Sequence, residues 1–371
     1  MAGAGGKPPF RADHVGSLLR PKNLLDARGQ KQRGEITAEA LRKVEDEAIR
    51  KAVALQEDAG LQAVTDGEYR RAYFHIDFLE QMQGVAVRGG LPVKFHSKDR
   101  EVEFAPPRLE VSGQLRHTHP IAARDFAFLK SATRRTAKLC IPSPTMLHFR
   151  GGRAAVDKTA YPRMETFFDD LALAYQQEIK ALGDAGCTYL QLDDTNLAYL
   201  CDENMRARTK SIGEDPNALP HLYAQLINKA IGQRPKDMSV CIHLCRGNFQ
   251  SAWVAEGGYE PVAEALFKEL HVDGYFLEYD DERSGDFRPL RHVPKGKKVV
   301  LGLVSSKVAA LESKDAIKRR IDEAAKFMSL GDMALSPQCG FSSTVEGNRV
   351  TEADEIAKLK LVVDIARDVW G

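Results

Sequence analysis

Residues 238–248 read Met-Ser-Val-Cys-Ile-His-Leu-Cys-Arg-Gly-Asn. The run 238–244 is strand-length and nearly apolar, and it gives way to an arginine and a glycine that open a loop. A short unbroken run of this kind fits a strand buried on both faces, as in a parallel sheet. Comparable runs recur at 10–17, 63–68, 137–142, 188–193, 274–278, 298–304 and 333–337, making eight in all. Between them lie stretches with helical spacing, roughly 37–59, 163–186, 219–231, 259–268, 314–329 and 352–369. In the first of these Leu41, Val44, Ala48 and Ala52 share a face, and Gly60 stands just past the end.

Strands alternating with helices predict an α/β fold with a parallel sheet. Eight such units predict closure into a single (β/α)8 TIM barrel, since parallel strands need long crossovers and only closure removes both edges. An open, doubly wound sheet is the competing arrangement. No Gly-x-Gly-x-x-Gly follows the first run, which argues against a dinucleotide-binding version. The barrel takes the whole chain, 1–371, as one catalytic domain, with 75–135 read as an insertion after strand 2. Gly89 and Gly90 signal a hairpin turn inside that insertion, and the polar stretch 198–216 reads as a lid.

Hydrophobic residues make up 43% of the chain, enough for one large core. Lys and Arg number 53 against 52 Asp and Glu, a balance that gives no reason to expect nucleic acid or an anionic membrane as partner. The longest apolar runs fall well short of the roughly 20 residues a membrane helix needs. Residues 1–7 contain no apolar core and read as a flexible lead-in without a secretory signal. The six cysteines, at 140, 187, 201, 241, 245 and 339, show no disulfide framework, so a cytoplasmic setting with free thiols is expected.

Barrel enzymes gather their reactive groups at the carboxyl ends of strands. Here the fifth run ends in His243-Leu-Cys245, the sixth in Leu277-Glu278, and the eighth is followed by Gln338-Cys339-Gly340. His243 and Cys245 are two apart and point to one side of a strand. With Glu278 and Cys339 from other strands they could close a tetrahedron, and an N, S, S, O donor set suits zinc. The alternative is a buried histidine among core cysteines. Cys241 faces the same way and is assigned to the core. His14, on the first run, either reaches the pocket as a catalytic imidazole or bonds backbone. Arg11, Arg20, Arg70 and Arg71 are candidates for a substrate carboxylate or for structural ion pairs. Tyr73, Phe74 and Phe78 could line a flat pocket or pack in the core, and Asn248 and Ser336 could orient the ligands.

These same stretches resemble the zinc site in the C-terminal catalytic barrel of cobalamin-independent methionine synthase, and the resemblance spans nearly the whole chain. Val15-Gly16-Ser17 is similar to that family's loop for its amino-acid substrate. Asp66-Gly67-Glu68-Tyr69 and Leu190-Gln191-Leu192-Asp193-Asp194 are similar to the segments whose acids hold the substrate amine. The resemblance therefore implies substrate-binding roles for Val15, Gly16, Ser17, Glu68 and Asp193. It also implies zinc on His243, Cys245, Glu278 and Cys339. The chain departs from the family pattern in three places. The N-terminal half of the full synthase has no counterpart, residues 141–149 hold no tryptophan to stack on a pterin, and residues 302–307 hold no histidine.

The expectation is zinc-dependent methyl transfer to a small-molecule thiol, homocysteine giving methionine. Methyltetrahydrofolate or a simpler methyl donor would be the co-substrate, and Asp194 or a water would protonate the leaving nitrogen. Two other readings are a zinc–thiol alkyltransferase using an epoxide or a methylated small molecule, and a metal-free ligand-binding barrel resembling uroporphyrinogen decarboxylase. A homo-oligomer is compatible with the sequence.

Overall fold

The computed structural model describes residues 6–90, 92–97 and 100–371; of the lead-in, residues 1–5 lie outside the described residues. The chain opens with helices Lys22–Gln32 (α1) and Ala38–Ala59 (α2) and a two-residue strand Ala63–Val64 (β1). Then come helix Ile76–Leu79 (α3), strands Gln83–Arg88 (β2), Val93–His96 (β3), Glu101–Phe104 (β4) and Arg108–Arg116 (β5), and helix Ala123–Ala132 (α4). Strands Thr136–Ala137 (β6) and Leu139–Pro142 (β7) lead to Met164–Asp184 (α5), Tyr189–Asp194 (β8), Asn196–Tyr199 (α6), Glu203–Ser211 (α7) and Leu219–Ile231 (α8). The last third runs Ser239–Leu244 (β9), Gly274–Glu278 (β10), Lys298–Val304 (β11), Lys314–Ala324 (α9), Met333–Pro337 (β12) and Glu352–Trp370 (α10).

Strands β7 to β12 pair in sequence order as one parallel sheet. Every residue of β8, β9, β10 and β12 is buried, the polar Gln191, Asp193, Asp194, His243 and Glu278 among them. A second parallel pair joins β1 to β6, and Lys138, the single residue between β6 and β7, donates its N–H to the Val64 carbonyl at 2.9 Å. Ahead of α1, Ala12 forms an isolated parallel bridge with Leu335 of β12. The result is an α/β fold built on a parallel sheet. Tyr189, Cys241, Phe276, Val300 and Ala334, one from each of β8 to β12, pack in one cluster with Phe10, Val15 and Ala63. The Lys138 ammonium lies 4.1 Å from the Phe276 ring centroid and pairs with Asp13 at 3.0 Å, both side chains fully buried. Helices cover the sheet for the reasons their sequences suggest. In α2, Thr37 caps the first turn through Ala40 N–H, Gly60 ends the helix at φ 94°, and Ala48, Ile49, Ala52 and Val53 are buried.

Several sequence expectations need correction. The run 10–17 is not a continuous strand, because the Asp13 carboxylate takes the N–H groups of Phe10 and His14 and Gly16 turns to φ 141°. The run 63–68 is a strand only at Ala63–Val64. Beyond it Thr65 N–H goes to the Gln56 side chain, and Gly67 and Glu68 both have positive φ. The stretch 259–268 forms a 3-10 turn at Glu260–Val262 and a π turn at Ala265–Glu269, with Pro261 unable to donate. The sixth helical stretch fits, but 314–329 is α-helical only over α9. Gly89 and Gly90 do not turn a hairpin. β2 pairs instead with β5 and β3 with β4, and a Cβ at Gly90 would lie 2.3 Å from the Ala105 carbonyl oxygen. The stretch 198–216 is largely helical, through α6 and α7.

Glu355 on α10 is buried, and its Oε2 accepts Leu19 N–H at 2.8 Å. Burial outweighs that hydrogen bond and pushes the carboxyl up to about 8. The unfolded value is about 4.3, so the native state keeps a proton that the unfolded chain has released, and stability falls as pH rises between those values. Glu355→Gln retains the acceptor and cannot ionise. In urea unfolding from about pH 5 to about pH 8 the variant should lose less stability than the parent. Parallel slopes would show that Glu355 is not held protonated.

Candidate active site

The carboxyl ends of three strands meet. β9 carries His243, and Cys245 follows with its N–H on the Asp194 carbonyl at 2.8 Å. β10 ends in Glu278. After β12, Gln338 N–H bonds the Val304 carbonyl at 2.8 Å, which sets Cys339. The ligating atoms of His243, Cys245, Glu278 and Cys339 all lie within 4.8 Å of one another, and all four residues are buried. The two sulfurs are 3.4 Å apart. Neither ring nitrogen of His243 has a partner in hydrogen-bond geometry, though Cys339 lies close enough to raise the imidazole. Glu278 is held from behind, its Oε1 accepting Arg246 N–H at 3.0 Å and its Oε2 accepting Arg283 at 3.1 Å.

The electrostatics follow from this crowding. The hydrogen bond from Cys245 holds the Cys339 thiol well below the usual range despite burial, and the same shared hydrogen pushes Cys245 well above it. Burial disfavours a charged His243, but the neighbouring Cys339, Asp193 and Glu278 outweigh it and raise the imidazole. A buried imidazole with two orphaned nitrogens beside two thiols and a carboxylate fits a metal ion, since buried polar atoms rarely stay unpaired. The donor set is one that zinc accepts.

A second group adjoins the first. Glu68, Cys140 and Asp193 bring ligating atoms within 4.8 Å of one another. Asp193 stands opposite His243 in the β8–β9 register, and Gln191 donates to it at 2.7 Å. Burial, then the nearby Glu68, pushes the Asp193 carboxyl up to about 7. Glu68 has φ 58°, a conformation a non-glycine residue adopts only when held, and it pairs with Arg71. Val15 offers its carbonyl to Gln191 at 2.6 Å and to the Cys140 thiol at 3.1 Å. Ser17 Oγ accepts Ser342 N–H at 3.3 Å. At Gly16 a Cβ would lie 2.6 Å from Cys140 Sγ and 2.8 Å from Glu68 Oε1. Ser17, Glu68, Asp193, His243, Cys245 and Cys339 all line one cavity of about 70 Å³.

Other expected residues fall elsewhere. His14 is buried beside Gln56 and the Ala63 backbone; burial, then the Lys138 charge, pushes it down to about 4 against those contacts, and it does not line this cavity. Asp194 does line it, but its oxygens already accept Thr145 Oγ1 at 2.5 Å and Leu197 N–H at 2.8 Å. Arg11 bonds the Met333 carbonyl, Arg70 pairs with Glu45 and Asp46, and Arg20 bonds the carbonyls of Glu68, Arg71 and Thr344; only Arg71 of the four faces the cavity. Tyr73 and Phe74 line the cavity while Phe78 packs in the core, as does Cys241. Asn248 donates to the Gly340 carbonyl and Ser343, and Ser336 to the Pro337 carbonyl. Sequence reasoning missed Cys140 beside the two acids, and His75 and Arg150 in the cavity wall. No local pattern marks any of the three.

A family model described as "Cobalamin-independent synthase, Catalytic domain" matches residues 10–368. The chain belongs to that family. Its relatives include the uncharacterized protein YxjH of Bacillus subtilis, 48% identical over 369 residues, with 98% of this chain and 96% of that one covered. The methionine synthase of Pyrococcus abyssi is 23% identical over 331 residues, covering 88% and 84%. A solved structure, the putative vitamin-B12 independent methionine synthase of Listeria monocytogenes, superposes with a TM-score of 0.79 at 42% identity, covering 99% and 100%. As a cobalamin-independent synthase the chain is a methyltransferase of the methionine-biosynthesis type. Among the described residues no helix is long and apolar enough to cross a membrane.

Gly16 is a tight point of this site, held at positive φ. Gly16→Ala should destabilise the protein by about 2 kcal/mol or more, from positive φ and overpacking together. Adding Cys140→Ala should restore part of that loss in thermal unfolding. Equal loss with and without Cys140 would leave the backbone angle and the Glu68 contact as the causes.

Proposed function

We propose that the protein transfers a methyl group to a thiol in a zinc-dependent reaction, converting homocysteine to methionine with methyltetrahydrofolate or a simpler compound as donor. The scaffold in this reading is one closed (β/α)8 barrel over the whole chain, with 75–135 inserted after its second strand. The Ala12–Leu335 bridge and the interior cluster fed by successive strands support closure. The observation that carries the functional reading is His243, buried with both nitrogens unpaired, facing two thiols and a carboxylate.

His243, Cys245, Glu278 and Cys339 would hold the ion. When bound, zinc supplies the Lewis acidity that strips the proton from an incoming thiol at neutral pH. Arg283 and the Arg246 N–H aim Glu278. Glu68 and Asp193 bind the acceptor's ammonium. Burial, then Glu68, pushes Asp193 up to about 7, and the acceptor's ammonium would add to His243 and Arg71 in drawing it back to the ionised form. Ser17 and the backbone around Gly16 wall the acceptor in. The donor must then approach from the open side of a cavity whose floor is already occupied by the acceptor, which sets sulfur and methyl carbon face to face.

The test joins metal analysis to product formation. The purified protein should hold stoichiometric zinc, and Cys339→Ser should weaken zinc binding on the order of 100-fold or more and abolish methionine formation. Full activity after complete chelation would reject the metal. If methyltetrahydrofolate, methylcobalamin and methyl-sulfonium donors all fail to give methionine with the zinc-loaded protein, homocysteine is not the acceptor.

A further inference from the structure

Two buried cations beside the four donors touch no carboxylate. Arg246 directly follows Cys245 and is fully buried, and none of its guanidinium nitrogens has a hydrogen-bond partner. Its backbone is fixed on both sides. The N–H goes to Glu278 Oε1 at 3.0 Å, and the carbonyl accepts Val254 and Ala255 N–H at 2.9 and 3.0 Å. The guanidinium carbon lies 4.6 Å from the Tyr259 ring centroid, and the Tyr259 hydroxyl in turn accepts Glu278 N–H at 2.9 Å. The cation is thus laid against the ring that holds the main chain of Glu278.

Lys307, just past β11, is the second. It is buried, and its ammonium donates to Asn248 Oδ1 at 2.9 Å and to the Gly247 carbonyl at 3.4 Å, both neutral acceptors. Asn248 extends the link, donating to the carbonyl of Gly340 beside Cys339 at 2.9 Å. The neighbouring Ser306 sets its N–H and hydroxyl on Gln338 Oε1 at 2.7 and 2.9 Å, which ties the Lys307 and Cys339 loops together. Arg283 differs from these two, since it is paired with Asp280 and Asp281 as well as Glu278. A buried cation without a counter-charge is costly, and a ring face offsets only part of that cost. Both charges reach the donors instead: Lys307 acts on Cys245 and Cys339, and Glu278 acts on Arg246. Neither cation lines the cavity over the donors, so neither is placed to touch an acceptor there.

We propose that Arg246 and Lys307 are positioning residues whose fixed charges favour the sulfur anion formed when the acceptor thiol gives up its proton. The inference rests on the zinc–thiol reading and adds two residues to it. In that step the S–H bond breaks, sulfur keeps the electron pair and the proton passes to solvent, so the site gains one negative charge. Two thiolates and a carboxylate around one dication already leave an excess of negative charge. A further anion is then disfavoured unless cations stand near, and in a buried setting such cations act strongly. Charges held in place beforehand need no reorganisation when the proton leaves. A thioether brings no charge to the site, and the two cations are indifferent to it.

Calorimetric titration of the zinc-loaded protein with homocysteine and with methionine reads that difference. The two ligands share an ammonium and a carboxylate and differ in the charge their sulfur can carry. Arg246→Met and Lys307→Met should each lower the affinity for homocysteine on the order of tenfold relative to that for methionine, with zinc content equal to the parent's. Arg246→Lys and Lys307→Arg keep the charge and should recover most of the loss. A merely structural role would weaken both ligands alike. Lys307→Met serves as the second variant should Arg246→Met fail to fold. A homocysteine-to-methionine ratio that stays at the parent's value when the charge is removed would overturn the inference, as would an equal fall in the charge-conserving variants. The parent itself keeps the two readings apart. Failure of the zinc-loaded parent to bind homocysteine sinks the zinc–thiol reading and the inference with it, whereas binding with an unchanged ratio in the variants sinks the inference alone.

Discussion

The parallel register of β8 to β12 is the constraint on which the site depends. Asp193 lies opposite His243, His243 opposite Phe276, and Glu278 opposite Gly302, so the strands end at nearly one level. Donors at those ends meet without any loop having to reach for them. The last donor needs one more concession. A Cβ at Gly302 would lie 2.6 Å from Gln338 Cα and 2.8 Å from the Leu277 carbonyl oxygen. With only hydrogen there, the chain leaving β12 can cross over the end of β11, where the register shifts between Gly302 and Val304, and bring Cys339 to Cys245. Any side chain at position 302 would push the Cys339 loop outward. The fourth donor thus depends on a residue with no chemistry of its own.

Charge divides the adjoining cavities. Around the metal-donor cluster stand the acids Glu68, Asp193 and Glu278, with Arg71 engaged by Glu68 and Arg283 by Glu278 and Asp280, while Arg150 lies in the wall shared with the adjoining cavity. In the adjoining cavity of about 310 Å³ the arginines Arg108, Arg150 and Arg208 outnumber Glu110. Under the proposed function the acceptor's ammonium is favoured beside Glu68 and Asp193, so its orientation is set by wall charges in place before it arrives, the form of preorganisation that costs nothing at the moment of reaction.

What the sequence revealed, and what it hid, follows the range of the interactions. His243, Cys245, Glu278 and Cys339 were legible because each terminates or follows an apolar run, a local signal. Glu68 and Asp193 were legible only through their resemblance to a family. Hidden were features that depend on who meets whom across the fold. The run 10–17 has the composition of a strand, but Asp13 takes two of its N–H groups, and nothing in the local pattern says that a side chain will do so. Gly89 and Gly90 look like a hairpin turn, yet Gly90 serves a close crossing with Ala105. His14 and His75 are both buried histidines. Only packing puts one beside Gln56 and the other in the cavity wall. That Arg150 lacks a partner among the described residues is a statement about the fold as a whole, and no window of sequence contains it.

The loop carrying Cys339 is also tied to the amine-binding side. Ser17 carbonyl accepts Phe341 N–H at 2.9 Å, and Arg71, paired with Glu68, donates to the Ser343 carbonyl at 2.8 Å. Arg20, nearly buried, spans Ser342, Thr344, Glu68 and Arg71 with its guanidinium. The residues proposed to hold the acceptor's nitrogen and the residue proposed to help activate its sulfur therefore belong to one cross-linked unit. For a small acceptor bound at both ends, that arrangement fixes the distance between its two anchors. A thiol of the wrong chain length could satisfy one anchor and miss the other, because shifting one end would drag the Arg20 and Arg71 contacts with it. Selectivity for chain length then comes from the stiffness of this frame, while the soft sulfur donors tolerate whatever thiol reaches them.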